Sequence, residues 1–320
     1  MQFGLTLMTR GPGADGTGLR AMAEAGEAGG FDYLTVNDHV VVPSGIASRY
    51  PYAEDGVWTG ATQGQCLETV DVVSFLAAAT SRVRLLTSVL VVPHRPAVLA
   101  AKMLATADIL SGGRLTVGCG AGWMREEFEA LGAPSYDRRG RVTDEYIQAF
   151  RALWGQERPS FEGEYVSFAD VVFEPKPVQR PGPPIWVGGE SPAAIRRAGR
   201  LGDGWYPASH NPQFPLDTPE RYAAAAAKLA QTAEQAGRDP ASLHRGYFAI
   251  RPVEPEPRDE GGRRRAFTGR PADIAEDVAA LAAEGIRTIV LNAPAAELPA
   301  ALDRIAWLSE EVLPLARKAA

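Results

Sequence analysis

Short runs of apolar and β-branched residues alternate with longer amphipathic stretches along nearly the whole chain. The short runs that read as strands lie at 3–7, 33–37, 83–89, 115–119, 184–189, 203–207, 245–250 and 288–292. The helical patterns between them include 19–29, 98–111, 191–202, 219–237 and 271–285. This alternation predicts βα units around a parallel sheet. Eight such units in 320 residues predict an α/β fold, a single closed (β/α)8 TIM barrel with insertions, as one domain over residues 1–320.

A pair of dinucleotide-binding half-domains is the alternative architecture. Its fingerprint needs G-x-G-x-x-G between a strand and a helix, whereas residues 118–123 read Gly-Cys-Gly-Ala-Gly-Trp. Three loops, at 44–69, 155–184 and 252–270, exceed what a plain barrel needs. The first and third leave carboxyl ends of strands, where we expect substrate lids, and the second is expected to hold a small hairpin at EYVSF.

Composition points to a small-molecule partner. A formal net charge of −6 argues against nucleic acid or an anionic membrane surface as the partner. Cys66 and Cys119 have no metal-ligand or Cys-x-x-Cys spacing, which favours a reduced cytoplasmic protein without disulfides. No basic leader or bilayer-spanning stretch is apparent, and the histidines lack the spacing of a metal site, so we expect no metal.

Candidate chemistry concentrates at the carboxyl ends of the predicted strands, where barrels of this kind place their active sites. The residues at those ends are Asn37, Asp38, His39, Ser88, Gly118, Gly120, Gly122, Trp123, Gly188, Gly189, Ser191, Trp205, Tyr206, Arg251 and Asn292. The set is polar, aromatic and rich in glycine. That composition predicts a cofactor pocket.

Two parts of this set predict a specific role, one in binding and one in catalysis. Gly188 and Gly189 turn a strand into a helix, and Ser191 is placed as its N-cap, which predicts an anion site for a phosphate. The alternative is a tight turn with an ordinary cap. His39 stands beside Asp38, which predicts a proton donor or acceptor oriented by that carboxylate; a hydrogen-bonded structural histidine is the alternative.

Two further features have plainer interpretations. The run Arg263, Arg264 and Arg265 is typical of a solvated loop, with a lid that reaches the acidic tail of a ligand as the alternative. Cys119 lies between two of the glycines with no base beside it in sequence, so we interpret it as a packing residue.

Long ordered blocks of the chain carry a family resemblance. They are FDYLTVNDHVVVP, SRYPYAEDG, the stretch from AATSRVRLLTSV to GCGAGWMREEFEALG, FEGEYVSF, PKPVQRPGPPIWVGG and AGRLGDGWYP. They resemble the luciferase-like monooxygenase superfamily, and more narrowly its F420-dependent oxidoreductase branch. The likeness runs from the first strand to residue 207 and fades toward the C-terminus.

The resemblance implies a barrel with a flavin or deazaflavin across its carboxyl-terminal mouth. It implies that the ring lies against the backbone of Gly118, Gly120 and Gly122, because side chains there would occupy the space of the cofactor. From the residues alone, Trp123 and Trp205 are candidates to line an aromatic pocket, with core or rim positions as the alternative. Gly188, Gly189 and Ser191 match the phosphate site of the cofactor. Ser88 and Val89 match a bulge behind the ring, often with a non-prolyl cis peptide, and Asp38 and His39 match the Asp-His pair near the reactive ring carbon.

Two positions depart from the pattern of deazaflavin-dependent alcohol and sugar-phosphate dehydrogenases in this superfamily. They carry Glu after the second glycine, where this chain has Ala121, and Trp four residues after the histidine, where it has Pro43. We therefore expect their acid and aromatic roles to be missing.

The expected function is hydride transfer between coenzyme F420 and a small organic substrate. His39 would move the accompanying proton. The alternative is an FMN-dependent monooxygenase that uses reduced flavin and O2, supplied by a separate reductase. A binding protein without turnover and a metal-dependent aldolase or isomerase are the other classes considered. By analogy with relatives, we expect a homodimer through the Ala-rich face of 98–111.

Overall fold

The structure is a computed structural model that describes residues 1–11, 13–60 and 66–320. Its strands are β1 (Gln2–Thr6), β2 (Tyr33–Val36), β3 (Arg84–Thr87), β4 (Leu90–Val91), β5 (Leu115–Gly120), β6 (Phe161–Glu162), β7 (Ser167–Phe168), β8 (Ile185–Gly188), β9 (Gly204–Tyr206), β10 (His244–Ala249), β11 (Asp259–Glu260), β12 (Arg263–Arg264) and β13 (Thr288–Leu291). Its α-helices are α1 (Gly16–Ala28), α2 (Thr69–Ala79), α3 (Ala97–Leu110), α4 (Arg125–Leu131), α5 (Arg139–Gly155), α6 (Pro192–Leu201), α7 (Pro219–Gln235), α8 (Pro271–Ala283), α9 (Leu298–Trp307) and α10 (Leu313–Ala319). Shorter 3-10 turns cover Val92–His94, Tyr136–Arg138 and Pro240–Ser242, and a π-helical turn covers Leu308–Val312.

Parallel strands close on one another to form a barrel. Their order around the barrel is β1, β2, β3, β5, β8, β9, β10 and β13, which pairs again with β1. The closing pair sets Gln2 opposite Thr288, and β4 continues the pairing along β5 with Leu90 opposite Cys119. The (β/α)8 barrel predicted from the sequence is confirmed, with each barrel strand inside or overlapping its predicted run.

Alternation along the strands divides the core into two parts, because successive side chains point to opposite faces. Inside the barrel, Tyr33, Leu86, Trp186, Tyr206 and Val290 pack together. Outside it, the other face of each strand packs against the helices in a larger apolar cluster. The interior is therefore a packed core, and chemistry is confined to the mouth.

Helix α3 carries its alanines toward the core of its own chain. Ala100, Ala101 and Ala105 are at most 1% exposed, whereas Leu99 and Leu110 are 53% and 60% exposed. The expectation that an Ala-rich face of 98–111 meets another subunit is therefore wrong about the residues. The small side chains let the helix approach the neighbouring layer, and the exposed large apolar side chains of the helix are Val98, Leu99 and Leu110.

The three long loops differ in what they contain. Within 155–184, β6 and β7 form the expected small hairpin, with Phe161 opposite Phe168. Part of the expected lid at 44–69, namely 61–65, lies outside the described residues.

The expected lid at 252–270 holds the hairpin of β11 and β12. Arg264 is fixed to Asp277 by hydrogen bonds of 2.7 and 2.9 Å, and Arg265 donates to Glu254 at 3.0 Å. Two of the three arginines are thus tied to the chain rather than solvated, while Arg263 is exposed.

Among the helices of the described residues, none has both the length and the apolar character needed to cross a bilayer. No group of three or more His, Cys, Asp and Glu side chains in those residues is arranged to hold a metal ion.

Candidate active site

Val89 is the central packing residue of the mouth. The Ser88–Val89 peptide bond is cis, and the bulge expected at this position separates β3 from β4. A β-carbon built on Gly120 would lie 2.5 Å from Val89 Cγ2, and one on Gly188 would lie 2.9 Å from Val89 Cγ1. The Ser88 hydroxyl lies 3.0 Å from the Tyr206 hydroxyl, which joins the bulge to the end of β9.

The glycines after β5 are required by the packing of the chain itself. A β-carbon on Gly118 would lie 2.0 Å from the Thr87 carbonyl oxygen. Gly122 has φ of +84°, and a β-carbon there would lie 2.7 Å from both Phe128 and Val91. We expected these positions to lack side chains in order to leave room for a cofactor. The structure gives a more direct reason, because atoms of the protein already occupy the space that a side chain would need.

His39 lies at the end of β2 and is held by a carboxylate from a different element. Its Nδ1 is 2.7 Å from Oε2 of Glu127, which lies in the first turn of α4 and is only 1% exposed. The other oxygen of Glu127 accepts from the backbone N–H groups of Val40 and Val41, at 2.7 and 3.3 Å. Burial alone would raise the pKa of Glu127, but the hydrogen bond and charge of His39 lower it below its ordinary value.

Asp38 does not orient His39, contrary to the sequence-based prediction. The Asp38 carboxylate forms a bidentate pair with Arg95, at 2.8 and 2.9 Å, and accepts from the backbone N–H of Val91 at 2.8 Å and the Thr69 hydroxyl at 2.9 Å. Burial acts to raise the pKa of Asp38, and the hydrogen bonds and charge of Arg95 outweigh it and lower that pKa. Successive residues after a strand point in opposite directions, so Asp38 and His39 serve different partners. Asp38 is a structural anchor of the mouth.

Aromatic side chains surround the His39 ring. Trp58 lies against it with ring centroids 4.5 Å apart and an interplanar angle of 32°, and Trp123 meets it edge-on at 6.3 Å. Tyr50 contacts both tryptophans, and the Arg10 guanidinium lies 5.0 Å from the centroid of Trp58. Trp123 therefore lines the mouth.

Trp205 belongs to the core instead. It is fully buried and stacked on Tyr222, and its Nε1 donates to the Gly189 carbonyl at 2.9 Å.

A carboxylate and an aromatic ring reach His39 from other elements than those of Ala121 and Pro43. Glu127 brings a carboxylate to His39 from α4, and Trp58 brings a ring from the long loop after β2. That the acid and aromatic roles of the deazaflavin-dependent dehydrogenases are missing stays a prediction.

The turn from β8 into α6 has the predicted form. Gly189 has φ of +103°, and Ser191 caps the helix by accepting the Ala194 N–H at 3.2 Å. The first-turn N–H groups of a helix have no acceptor within it, and they favour an anion. A β-carbon on Gly189 would contact only Ala194, at 3.0 Å, so that glycine is required by its backbone angle rather than by crowding.

Glu190 is a buried carboxyl group that sequence reasoning missed. It lies between Gly189 and Ser191, is 4% exposed, and accepts from the Ala208 N–H at 2.6 Å and Asn211 Nδ2 at 2.9 Å. Burial raises its pKa to about 7, against the opposing effect of these hydrogen bonds. The side chain ties the end of β8 to the segment after β9.

The missed residues carry little local signal. Glu127 belongs to an ordinary acidic first turn, and Glu190 follows two glycines as any loop glutamate could. His39 and Glu127 are 88 residues apart in the sequence, and the closed barrel brings them into contact. What could have singled out Glu127 is its place directly before Phe128 on the apolar side of α4, where a carboxylate is buried with its neighbour.

Comparisons with known proteins show the family of the chain. The luciferase-like monooxygenase family matches residues 1–255. The chain is 35% identical over 189 residues, 58% of its length, to an FMNH(2)-dependent dimethylsulfone monooxygenase of Pseudomonas putida, of which it covers 47%. It is 36% identical over 207 residues, 64% of its length, to an uncharacterized protein of Mycobacterium tuberculosis, of which it covers 71%. It thus spans about half the length of the dimethylsulfone monooxygenases that it matches.

Solved structures show the same fold at low sequence identity. An F420-dependent secondary alcohol dehydrogenase, solved with an F420–acetone adduct, superposes with a TM-score of 0.78 at 19% identity over 99% of both chains. The F420-dependent tetrahydromethanopterin reductase of Methanopyrus kandleri superposes with a TM-score of 0.72 at 17% identity over 98% of both chains.

The fold defines the class of (β/α)8-barrel proteins, with the candidate site at the rim of the barrel mouth. Within that class, the chain belongs to the luciferase-like monooxygenase family.

Proposed function

We propose that the protein uses coenzyme F420 to transfer a hydride to or from a small organic substrate, in the mouth of the barrel. The observation that carries this proposal is the fixed imidazole of His39, bound on one nitrogen by buried Glu127 and covered by Trp58. A histidine held in this way at a barrel mouth suits the proton transfer that accompanies hydride transfer.

The turn from β8 into α6 would hold the phosphate of the cofactor. Pro192 has no N–H, and the N–H groups of Ala194 and Ile195 already donate to Ser191. The N–H groups of Ser191 and Ala193 would therefore be the donors at the positive end of the helix dipole, and Gly189 leaves the approach open. The nearby Glu190 carboxyl is engaged by Ala208 and Asn211, so its oxygens are turned to protein donors. The residues present therefore fit a phosphate-bearing cofactor.

When bound, F420 supplies a two-electron hydride carrier. The nitrogen of His39 that Glu127 does not engage would accept the proton released when the substrate gives up a hydride. In the reverse direction it would first take a proton from solvent and then donate it to the substrate. Ser88, Val89 and Trp123 would contact the cofactor from the walls of the mouth. The chain itself contributes orientation, exclusion of water by the aromatic side chains, and placement of the proton.

The test is equilibrium binding of oxidised F420 and of FMN to the purified protein, measured side by side by fluorescence. We expect F420 to bind with micromolar or lower Kd and FMN to bind at least about tenfold more weakly, a difference of roughly 1.4 kcal/mol. The opposite preference would sink the F420 assignment, and binding of neither compound would refute both cofactors.

A matched pair of variants tests the phosphate cradle. Aspartate is as good an N-cap as serine, so Ser191→Asp should keep α6 capped while it adds a negative charge beside the phosphate. Thr218 caps α7 by accepting the Arg221 N–H at 3.3 Å, so Thr218→Asp makes the same change on another helix. We expect S191D to weaken cofactor binding by about tenfold or more and T218D to leave it unchanged.

An FMN-dependent monooxygenase is the second candidate function. The 35% identity to an FMNH(2)-dependent dimethylsulfone monooxygenase favours it. In that case reduced flavin and O2 would be consumed, and a separate reductase would supply the reduced cofactor. Oxygen uptake with FMNH2 but not with reduced F420 distinguishes this function from the first.

The expected location, oligomeric state and type of substrate are also part of the proposal. We expect a cytoplasmic homodimer with a small-molecule substrate. We propose that the exposed leucines of α3, rather than its buried alanines, form the contact between subunits.

A further inference from the structure

The carboxylate of Glu127 has a fixed set of partners. Oε1 accepts two backbone N–H groups, from Val40 and Val41, and Oε2 faces Nδ1 of His39 at 2.7 Å. An ionised carboxylate only accepts hydrogen bonds, so Nδ1 must carry the proton in this pair. The lowered pKa of Glu127 agrees with an ionised side chain.

Other titratable groups near the pair do not compete for it. Asp38 is neutralised by Arg95, which also pairs with Glu68. Cys66 approaches from the loop before α2, and burial raises the pKa of its thiol, which keeps it protonated.

His94 is the second imidazole beside Glu127. Its Nδ1 lies 3.9 Å from Oε1, too far for a hydrogen bond, and neither ring nitrogen has a hydrogen-bond partner among the described residues. Burial lowers the pKa of His94, so it is a neutral neighbour rather than a second cation. His39 is thus the one ring that Glu127 engages among the residues described.

We propose that Glu127 is a positioning residue that locks His39 in the Nδ1–H tautomer and leaves Nε2 as the atom that exchanges a proton in the mouth. The hydrogen bond fixes one edge of the ring, and Trp58 fixes one face at a centroid distance of 4.5 Å. Neither the tautomer nor the ring plane is then free to vary. This inference takes the role that sequence reasoning gave to Asp38 and assigns it to Glu127; only its catalytic consequence rests on the proposed function.

The tautomer is measured directly on the protein without cofactor. Two-bond 1H–15N spectra of ¹⁵N-histidine protein, followed with rising pH until the ring signals stop shifting, distinguish protonated from bare ring nitrogens. The chain has four histidines, and loss of one signal set in His39→Gln assigns His39. We expect a protonated Nδ1 and a bare Nε2 in the wild-type protein.

Glu127→Gln should reverse this pattern. The two backbone N–H groups require an acceptor at the Oε1 position, so the amide oxygen stays there and the amide NH2 faces His39. Nδ1 must then accept, and the proton moves to Nε2. Because the side chain keeps its shape, the variant keeps the packing of α4.

Glu126→Gln is the matched control. Glu126 lies beside Glu127 on α4, and its Oε1 accepts the N–H groups of Ala47 and Ser48 at 2.8 and 3.0 Å, away from His39. We expect E126Q to keep the wild-type tautomer. A bare Nδ1 in the wild-type protein, or an unchanged tautomer in folded E127Q, would overturn the proposal whatever the cofactor proves to be.

Kinetics separate positioning from binding. With a substrate in hand, E127Q should lower kcat by about 10²- to 10⁴-fold, as loss of the correct tautomer does in serine proteases, and leave KM for the cofactor unchanged. A fall in cofactor affinity with kcat preserved would contradict a role through His39. If F420 and FMN both fail to bind, the proposed function fails, while the tautomer measurement still decides this inference.

Discussion

A β-carbon on Gly120 would lie 2.5 Å from Cγ2 of Val89, so the glycine and the valine form one packing unit at the mouth of the barrel. Real β-carbon contacts are longer, and a valine side chain on a β-bulge has few alternative rotamers. The identity of residue 120 is therefore decided by the residue at position 89.

Gly120→Ala should lower the free energy of unfolding by about 1–3 kcal/mol, the usual cost of overpacking. Val89→Ala on the same background should recover part of that loss, because it removes the methyl groups that clash. Urea denaturation of the four proteins in a double-mutant cycle measures the coupling. Gly45→Ala, at a position with nothing within 4 Å and no positive φ, is the control and should be nearly neutral. Additive effects of the two changes would show that the contact does not decide residue 120.

Asp38→Asn should destabilise the fold strongly and leave His39 in place. Asp38 and Arg95 form a buried bidentate pair, and loss of the Asp38 charge leaves the partly exposed Glu68 as the remaining counter-charge of Arg95, so the cost is at most the roughly 3–5 kcal/mol of a broken buried pair. Urea denaturation checks the stability, and the His39 nitrogen signals check the ring. The matched change at the exposed pair of Arg125 and Asp137, Asp137→Asn, should leave the unfolding midpoint unchanged. A change of His39 tautomer in folded D38N would return the orienting role to Asp38.

Glu190 should make stability depend on pH. Its pKa in the folded protein is about 7, above the ordinary 4.5, so the folded protein binds its proton more tightly than the unfolded chain does. Its favourable contribution is complete below about pH 4.5 and is lost as the pH rises to 7, up to about 3 kcal/mol at 1.36 kcal/mol per unit.

Glu190→Gln removes this titration. The variant loses one hydrogen bond at every pH, so wild type should be the more stable protein at pH 5, and its advantage should shrink or reverse by pH 8. Urea denaturation at each pH measures the difference. A difference that stays constant across this range would mean that Glu190 titrates near its ordinary pKa.

The exposed leucines of α3 should hold two copies of the chain together. Leu99 and Leu110 are more than half exposed, and a charge at such positions opposes burial in a subunit contact. Leu99→Glu combined with Leu110→Glu should convert a dimer into a monomer in sedimentation velocity. Val172→Glu changes an 89% exposed valine and serves as control. A wild-type protein that sediments as a monomer contradicts the expected homodimer itself.

Local signals in the sequence were sufficient for the scaffold. Apolar runs marked the barrel strands, and Ser191 before Pro192 marked the start of α6, because strand alternation and N-caps are determined within a few residues. The partner of His39 could not be found in this way. Glu127 lies 88 residues away, and the choice between it and the adjacent Asp38 depends on which direction each side chain takes after β2.

The glycines show a second limit of local reasoning. Their absence of side chains was visible, but the atoms that require it, such as the Thr87 carbonyl beside Gly118, belong to a neighbouring strand. A sequence reveals that space is scarce at such a position. It does not reveal whether protein or ligand takes the space.

Trp58 and Glu127 both reach His39 from outside the barrel strands, one from a loop insertion and one from the short helix α4. The histidine itself is anchored to the scaffold, whereas its surroundings are attached pieces that can be exchanged without rebuilding a single strand pair. A different segment in place of residues 44–60 would thus place other side chains over the same imidazole. The reactivity of this barrel is adjustable from its periphery.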